Sequence, residues 1–111
     1  MLQCYEIPLI SAPSQEFKVR LGQFDCAMRL FQRASYMYLD FYIGGISVRL
    51  GAAVRVNKPI LLDVPAAVFT GNLYIVDTRG LGVYPDYSGL GSRWKLAYVF
   101  DDGVIVEEPK E

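Results

Sequence analysis

Alternation of apolar and polar side chains, with a period of two residues, is the feature that most restricts what this chain can fold into. In residues 16–21 every second position is apolar, with Lys18 and Arg20 between them, and after Gly22 the alternation resumes. A β-strand with one buried face requires this pattern because successive side chains leave opposite sides of the pleat. The pattern predicts two antiparallel strands joined by a tight turn, and it fits residues 24–34 better than a helix does.

A third strand is predicted over residues 36–43, where both faces carry bulky side chains. One face consists of Met37, Leu39, Phe41 and Ile43, and the other of Tyr36, Tyr38, Asp40 and Tyr42. Gly44 and Gly45 then supply a turn, because glycine accepts the positive φ angles that tight turns need. Apolar residues recur at alternate positions after the turn, so the strands predict an antiparallel meander.

The second half of the chain carries shorter strand patterns and a long glycine-rich loop at residues 78–91. Strands are predicted at residues 53–56, 60–62, 72–77 and 93–100, with a short edge strand at 104–106. About seven or eight short strands are typical of an all-β fold, here an antiparallel sandwich or a partly closed barrel. We expect a single domain over residues 1–111, with an ordered core over about 3–106 and a frayed terminus at 107–111.

Composition excludes several classes of protein. Hydrophobic residues make up 52% of the 111-residue chain, and this is too many for an intrinsically disordered protein. Eleven basic and twelve acidic residues give a net charge of −1, so the basic surface that nucleic acid requires is absent. The chain has no histidine, the commonest general base and a frequent metal ligand. We therefore expect neither a cofactor nor a metal site and predict that the protein is not an enzyme; an enzyme that uses carboxylates or tyrosine is the alternative.

The two cysteines and the apolar segments bear on the environment of the protein. Cys4 and Cys26 are expected to be reduced and packed as small hydrophobic residues, with a disulfide as the alternative. The first residues lack a secretory signal, and runs such as residues 60–62 are far shorter than the ~18 residues that span a bilayer. These features predict synthesis in the cytoplasm without membrane insertion.

Two motifs could carry chemistry, and each has a simpler explanation. Gly80-Leu81-Gly82 and Gly89-Leu90-Gly91 resemble phosphate-binding loops, but neither is followed by a predicted helix. Asp101 and Asp102 are adjacent, and neighbours in an extended chain point to opposite faces and cannot share a proton. A glycine-rich loop and an ordinary turn account for these motifs.

Tyrosine on the polar face of the third strand is the unusual feature of the sequence. Tyr36, Tyr38 and Tyr42 would face water on an isolated sheet, so they indicate a surface that binds protein or carbohydrate. The alternative is that both faces of the strand are buried in a closed barrel or beneath a loop. Four arginines could contribute to such a surface, namely Arg29, Arg33, Arg49 and Arg55.

The order of several motifs resembles a known family. These motifs are Ile7-Pro8-Leu9, the segment APSQEFKVRLG at residues 12–22, YLDFY at 38–42, GNLYIVDT at 71–78, Pro85, and LGSRWKLAY at 90–98. Together they resemble the small plug proteins in the baseplates of contractile-tailed phages, described for a cyanophage. The resemblance extends over roughly residues 5–100.

The resemblance implies a structural role in the virion. It implies a β-domain in the tail baseplate of a phage or prophage that plugs or locks the end of the hub and tube. Its partners would be hub, baseplate and tube proteins, with several copies in a symmetric assembly and neither nucleic acid nor membrane bound. We predict the contacts at Tyr36, Tyr38, Tyr42, Arg79, Tyr84 and Tyr87. The alternative function is a carbohydrate- or peptide-binding β-sandwich module.

Overall fold

Seven antiparallel β-strands form two sheets in a computed structural model, which describes residues 2–65 and 67–101. The strands are β1 (Leu2–Ile7), β2 (Ser14–Leu21), β3 (Phe24–Arg33), β4 (Tyr36–Ile43), β5 (Ile46–Val54), β6 (Asn72–Asp77) and β7 (Trp94–Asp101). One sheet has the order β1-β7-β6 and the other β2-β3-β4-β5. Within the described residues the sheets do not close into a barrel, and one 3₁₀ turn, Tyr87–Gly89, is the only helical element. The predicted all-β fold is confirmed.

The four-stranded sheet is the meander that the alternation predicted. Leu21 pairs with Phe24 across a two-residue turn in which Gly22 has φ +63°. The β3–β4 and β4–β5 pairs continue the sheet in register, and Gly44 and Gly45 again take positive φ in the turn. The helical alternative for residues 24–34 is therefore wrong.

β5 is irregular where it pairs with the middle of β4. The register shifts on both sides of Phe41, and Gly51 takes φ +64° within the irregular stretch. The Asp40 carboxylate accepts a hydrogen bond from the Gly51 amide at 2.7 Å. Asp40 is thereby only 9% exposed although it lies on the outer, tyrosine-bearing face of β4.

The three-stranded sheet is built around β7. β1 and β6 pair with its two sides, Leu2–Ile7 against residues 96–101 and Asn72–Asp77 against residues 94–99. Residues 2–7 show no alternation that marks one face, so the sequence does not predict this strand, and most of its side chains are exposed. Pairing with β7 forms this strand.

One hydrophobic core draws on both sheets and on the loops. The four-stranded sheet contributes Leu21, Cys26, Met28, Leu30, Met37, Leu39, Phe41, Ala52 and Val54. The three-stranded sheet contributes Ile7, Leu73, Ile75, Trp94, Leu96 and Tyr98, and the loops add Ile60, Leu61, Phe69 and Leu90. The faces that the alternation marked as apolar are thus the faces turned to the core.

The predicted strand at residues 60–62 is wrong. Ile60 donates one backbone hydrogen bond to Leu73, and then the Asn72 side chain takes over both backbone groups of Leu61. A turn follows, because Val64 donates to the Leu61 carbonyl and Pro65 comes next. Ile60 and Leu61 are buried in this loop, whereas Leu62 is exposed. The predicted edge strand at 104–106 and the frayed terminus at 107–111 lie outside the described residues.

The cysteines are both free and differ in environment. Cys26 lies in the core, and burial raises the pKa of its thiol from 9.0 to about 11. Cys4 is exposed, because it lies on the face of β1 opposite to Ile7. The expectation of packing is confirmed for Cys26 and wrong for Cys4.

Candidate functional site

The outer face of the four-stranded sheet brings aromatic rings together across β3 and β4. The antiparallel register pairs Phe31 with Tyr38 and Arg33 with Tyr36. The ring centroids of Phe31 and Tyr38 are 5.9 Å apart. Cross-strand neighbours on one face interact directly, so aromatic side chains cover this part of the sheet.

Two arginine side chains cover one of these rings, that of Phe31. The Arg29 guanidinium carbon is 4.6 Å from the Phe31 ring centroid, and that of Arg33 is 5.7 Å from it. Both distances are within the range of cation–π attraction. Arg29 also lies 3.8 Å from the Asp40 carboxylate, which holds it over the sheet.

A long loop between β6 and β7, residues 78–93, is closed at its base by Asp77 and Arg93. The two oxygens of Asp77 accept hydrogen bonds from Arg93 at 3.0 and 3.1 Å, and they also accept from the amides of Arg79 and Gly82. These bonds lower the pKa of Asp77 from 3.8 to about 2, with the Arg93 bond the largest cause. The ends of the loop are therefore tied together as in an Ω-loop.

The same loop is fastened to the sheet at its far end. The Tyr87 amide donates to the Gln32 side chain at 2.9 Å, and the Ser11 hydroxyl reaches the carbonyls of Tyr87 and Ser88 at 3.1 Å. Asp86 caps the 3₁₀ turn by accepting from Ser88. These contacts fix the tyrosines of the loop beside the β3–β4 turn.

Docking of the loop places Tyr84 against Tyr36. Their rings meet edge to face, with centroids 5.1 Å apart and planes at 89°. Both remain solvent-accessible, Tyr36 at 48% and Tyr84 at 57% exposure. Two segments more than forty residues apart in sequence thus form one continuous patch. We name it the aromatic–arginine surface, and its members are Arg29, Phe31, Arg33, Tyr36, Tyr38 and Tyr84.

A groove of about 200 Å³ lies within this surface. Tyr36, Tyr38 and Tyr84 line it together with Arg55. A guanidinium group among aromatic rings suits it to a protein side chain, because arginine and tyrosine are the residue types enriched at energetically dominant contacts.

The other predicted site residues lie elsewhere. Tyr42 is at the far end of β4, beyond Asp40, where it lines a groove of about 440 Å³ with Lys18 and other residues. Tyr87 is 39% exposed and holds the loop through its backbone. Arg79 follows β6 at the base of the loop, and in the described part of the chain no ring contact joins it to the aromatic–arginine surface.

Sequence reasoning missed two members of this arrangement. Phe31 continues the outward-facing row of β3, yet it was not among the predicted contact residues. Gln32 occupies a core-facing position at the end of β3, where a polar residue is unusual, and its side chain binds Ala34 and Tyr87. A polar residue at a core-facing position is the sequence signal that could have identified Gln32. Of the four arginines, Arg49 faces another region and pairs with Asp63 at 3.6 Å.

Among residues 2–65 and 67–101 no group of three or more acidic or cysteine side chains could hold a metal ion. The buried carboxylates, Asp40 and Asp77, are each occupied by an arginine and by backbone amides. The same residues contain no helix long and apolar enough to cross a membrane.

These features define a class, a small β-sandwich domain with a rigid, solvent-accessible face of aromatic and guanidinium groups, as is common in proteins that bind other proteins. Residues 4–102 match a family model described as cyanophage baseplate Pam3 plug gp18. The chain therefore belongs to this family of phage baseplate plug proteins, which confirms the resemblance seen in the sequence. No curated protein matches the chain.

Family membership sets the general role. A baseplate plug is a structural component of the virion tail and associates with other baseplate or tail proteins. The predicted placement in a phage tail is confirmed at this level, and a structural component fits the expectation that the protein is not an enzyme.

Proposed function

We propose that this protein closes or locks the end of the hub and tube in a contractile phage or prophage baseplate, and that it binds its neighbours through the aromatic–arginine surface. The observation that carries the proposal is the edge-to-face contact between Tyr36 and Tyr84, because it joins the exposed tyrosines of two distant segments into one patch. Family membership supports the setting, a tail baseplate.

The patch has the composition of a binding surface. Large, exposed aromatic rings in water are unfavourable unless a partner covers them, and here they are accompanied by Arg29 and Arg33. Tyrosine and arginine dominate the energetics of many protein interfaces. The remaining contacts, including Tyr42, Arg79 and Tyr87, would lie toward the rim of the interface.

The patch is also preorganised. The Asp77–Arg93 pair and the Gln32–Tyr87 hydrogen bond hold the loop in place before any partner arrives. Binding then costs little loop ordering, which leaves more of the interaction free energy for association. A plug that must seat firmly among its neighbours benefits from such rigidity.

The alternative of a carbohydrate- or peptide-binding module receives less support. The groove at Tyr36 and Tyr84, about 200 Å³, is smaller than the ~300–1,000 Å³ typical of small-ligand sites, and the groove of about 440 Å³ at Tyr42 shares only Arg29 with the aromatic–arginine surface. A broad contact with a protein surface uses this shape better. We further propose that several copies assemble symmetrically, as the repeated architecture of a tail would require.

The test is the double variant Tyr36→Ala with Tyr84→Ala. We expect it to fold, since both side chains are about half exposed, and to lose co-purification with the baseplate proteins of the same phage. The matched control is Ile46→Ala, which removes a 72% exposed apolar side chain from the β4–β5 turn, at the opposite end of β4 from Tyr36.

Incorporation into purified tails gives the second readout. Loss of incorporation for the double variant, with normal incorporation of the control, supports the proposal. Normal incorporation of a folded Tyr36→Ala, Tyr84→Ala variant would show that the interface lies elsewhere.

A further inference from the structure

The four sheet edges of the sandwich are not equally available for pairing. The outer edge of β6 is occupied by residues 56–60, through a bridge from Val56 to Ile75 and a hydrogen bond from Ile60 to Leu73. β5 is interrupted by register shifts, a device that discourages pairing at an edge. Among residues 2–65 and 67–101, β2 pairs only with β3, and its eight residues are in unbroken register.

Backbone direction shows which groups of β2 face the open edge. The Gln32 amide donates to the Pro13 carbonyl, and Gln15 pairs with Leu30 two positions further on. Since backbone groups alternate along an antiparallel strand, the odd-numbered residues of β2 direct theirs to β3 and the even-numbered residues direct theirs outward. The Arg20 carbonyl accordingly accepts from the Tyr5 hydroxyl of β1 at 3.2 Å. In the part of the chain that the structure describes, no strand lies beside the N–H and C=O groups of Glu16 and Lys18.

The side chains of β2 are complementary to those of an identical strand. Glu16 and Lys18 are exposed on the outer face, and within the described residues neither forms an ion pair. If two β2 strands run antiparallel about a two-fold axis at Phe17, Glu16 of each copy faces Lys18 of the other. A shift of register by two residues would break this match, so the charges specify one alignment.

We propose that a second copy of this chain pairs with the first through β2, antiparallel and centred on Phe17, so that the two four-stranded sheets become one continuous sheet. Each Glu16–Lys18 pair exchanges two backbone hydrogen bonds, and the half-buried Phe17 side chains meet at the axis. The two-fold arrangement makes the interface isologous, the commonest form of a homodimer.

The remaining open edge, β1, lacks such complementarity. Its only charged side chain, Glu6, pairs with Lys95 of the same chain at 3.7 Å. A lysine on an edge strand ordinarily opposes pairing with another strand. On the β2 edge, however, Glu16 lies two residues from Lys18, so an antiparallel copy of β2 places opposite charges face to face, whereas another strand does not. Glu16 and Lys18 line a groove with Arg29 and Tyr42, but neither Tyr36 nor Tyr84 lies there, so the baseplate contact and the β2 pairing can be tested independently through separate residues.

Charge reversal tests the pairing. We expect sedimentation velocity of the wild-type protein to show a concentration-dependent monomer–dimer equilibrium. Glu16→Lys and Lys18→Glu each place like charges opposite one another twice across the axis, and each should weaken dimerisation by about tenfold or more. The double variant Glu16→Lys, Lys18→Glu restores opposite charges and should recover the dimer.

The matched control is Lys58→Glu, which makes the same charge change at an exposed position in the turn after β5. It should leave the equilibrium unchanged. Hydrogen exchange provides a backbone readout: the Glu16 and Lys18 amides should exchange fast in dilute protein and slow as the dimer forms, whereas the Phe17 and Val19 amides are protected throughout.

Any of three results overturns the proposal: a monomer at all concentrations, a dimer that is indifferent to the single reversals, or a double variant that fails to recover. Amides of Glu16 and Lys18 that exchange fast in a proven dimer would also contradict it. The Tyr36→Ala, Tyr84→Ala variant should still dimerise, so failure of the baseplate interface and failure of this pairing are distinguishable.

Discussion

Asp77 concentrates more interactions than any other carboxylate among the described residues. Its side chain is 1% exposed, and it accepts hydrogen bonds from Arg93 and from the amides of Arg79 and Gly82. A buried carboxylate is stable only when it is paired and hydrogen-bonded, and here those bonds close the base of the loop that carries Tyr84. One residue thus connects the core of the sandwich to the geometry of the aromatic–arginine surface.

The low pKa of Asp77 predicts a loss of stability in acid. Its pKa is about 2 in the folded protein against an ordinary value of 3.8, so its contribution is complete above pH 4 and is lost as the pH falls toward 2. Thermal unfolding followed from pH 6 to pH 2 should show this decline. Asp77→Asn should lower the melting temperature at neutral pH and make the decline shallower.

Asp25→Asn is the control for Asp77. Asp25 is 78% exposed and forms a 3.6 Å pair with Arg20, the kind of surface ion pair that contributes little. Its variant should follow the wild-type profile. An Asp77→Asn variant that kept the wild-type melting temperature at neutral pH would disprove the role assigned to Asp77.

Sequence alone predicted part of this residue-level arrangement. A carboxylate at the end of a strand is often a turn cap, and Asp77 was placed at such an end. Its partner Arg93 is sixteen residues away and was assigned no role, because only the closed loop brings the two together. The position of a residue at a strand end can be predicted from the local sequence pattern, whereas a contact between the two ends of a loop depends on the fold.

Residues 57–65 and 67–71, between β5 and β6, form no strand and yet complete the core. Phe69 inserts between the sheets, with its ring centroid 4.9 Å from Phe41, 5.1 Å from Phe24 and 5.5 Å from Tyr98. The Tyr98 hydroxyl donates to the Thr70 carbonyl at 2.5 Å. The chain must then turn sharply into β6, and it does so at Gly71.

Gly71→Ala should destabilise the protein strongly. Gly71 has φ +102°, and an added Cβ would lie 2.7 Å from both the Tyr98 ring and the Val99 carbonyl. Strain and overlap together should cost about 2 kcal/mol or more in the free energy of unfolding. Denaturant titration measures this loss in the free energy of unfolding.

The matched control for this prediction is Gly45→Ala in the β4–β5 turn. Gly45 also has positive φ, at +82°, but its Cβ would meet no atom within 4 Å. Only the backbone strain remains, and the cost should be about 1 kcal/mol. Equal losses for the two variants would mean that the close approach at Gly71 is relaxed easily.

Predictability from sequence differed between these elements for a physical reason. β2 to β4 form hairpins whose register follows from alternation and from short turns, and they were predicted correctly. β1 is an edge strand paired with β7 at the other end of the chain, and no local pattern marks it. Ile60 and Leu61 are buried like strand residues, but Asn72 binds the backbone of Leu61 in place of a sheet.

At the scale of the molecule, the four-stranded sheet has two separate tasks. Its inner face supplies about half of the core and its outer face carries the aromatic–arginine surface, while no described strand pairs with its β2 edge. The candidate site could be predicted only in part. The alternation of β4 placed its tyrosines on one face, but the contact between Tyr36 and Tyr84 depends on how the loop docks against the sheet. Stability and binding should therefore be separable along one strand.

Adjacent residues of β4 test that separation. Leu39 is fully buried opposite Leu30 and Ala52, so Leu39→Ala leaves a cavity and should cost about 2–5 kcal/mol. Tyr38→Ala, on the outer face, loses mainly the contact with Phe31 and should cost about 1 kcal/mol. Thermal unfolding measures both.

The two variants should also fail in different ways during assembly. Leu39→Ala should reduce incorporation into tails only in proportion to the fraction unfolded, so lowering the temperature restores it. Tyr38→Ala should stay folded and still bind baseplate proteins more weakly, at every temperature. If instead Tyr38→Ala lost several kcal/mol and Leu39→Ala almost none, the inner and outer faces of β4 would be assigned the wrong way round, and the core and the binding surface with them.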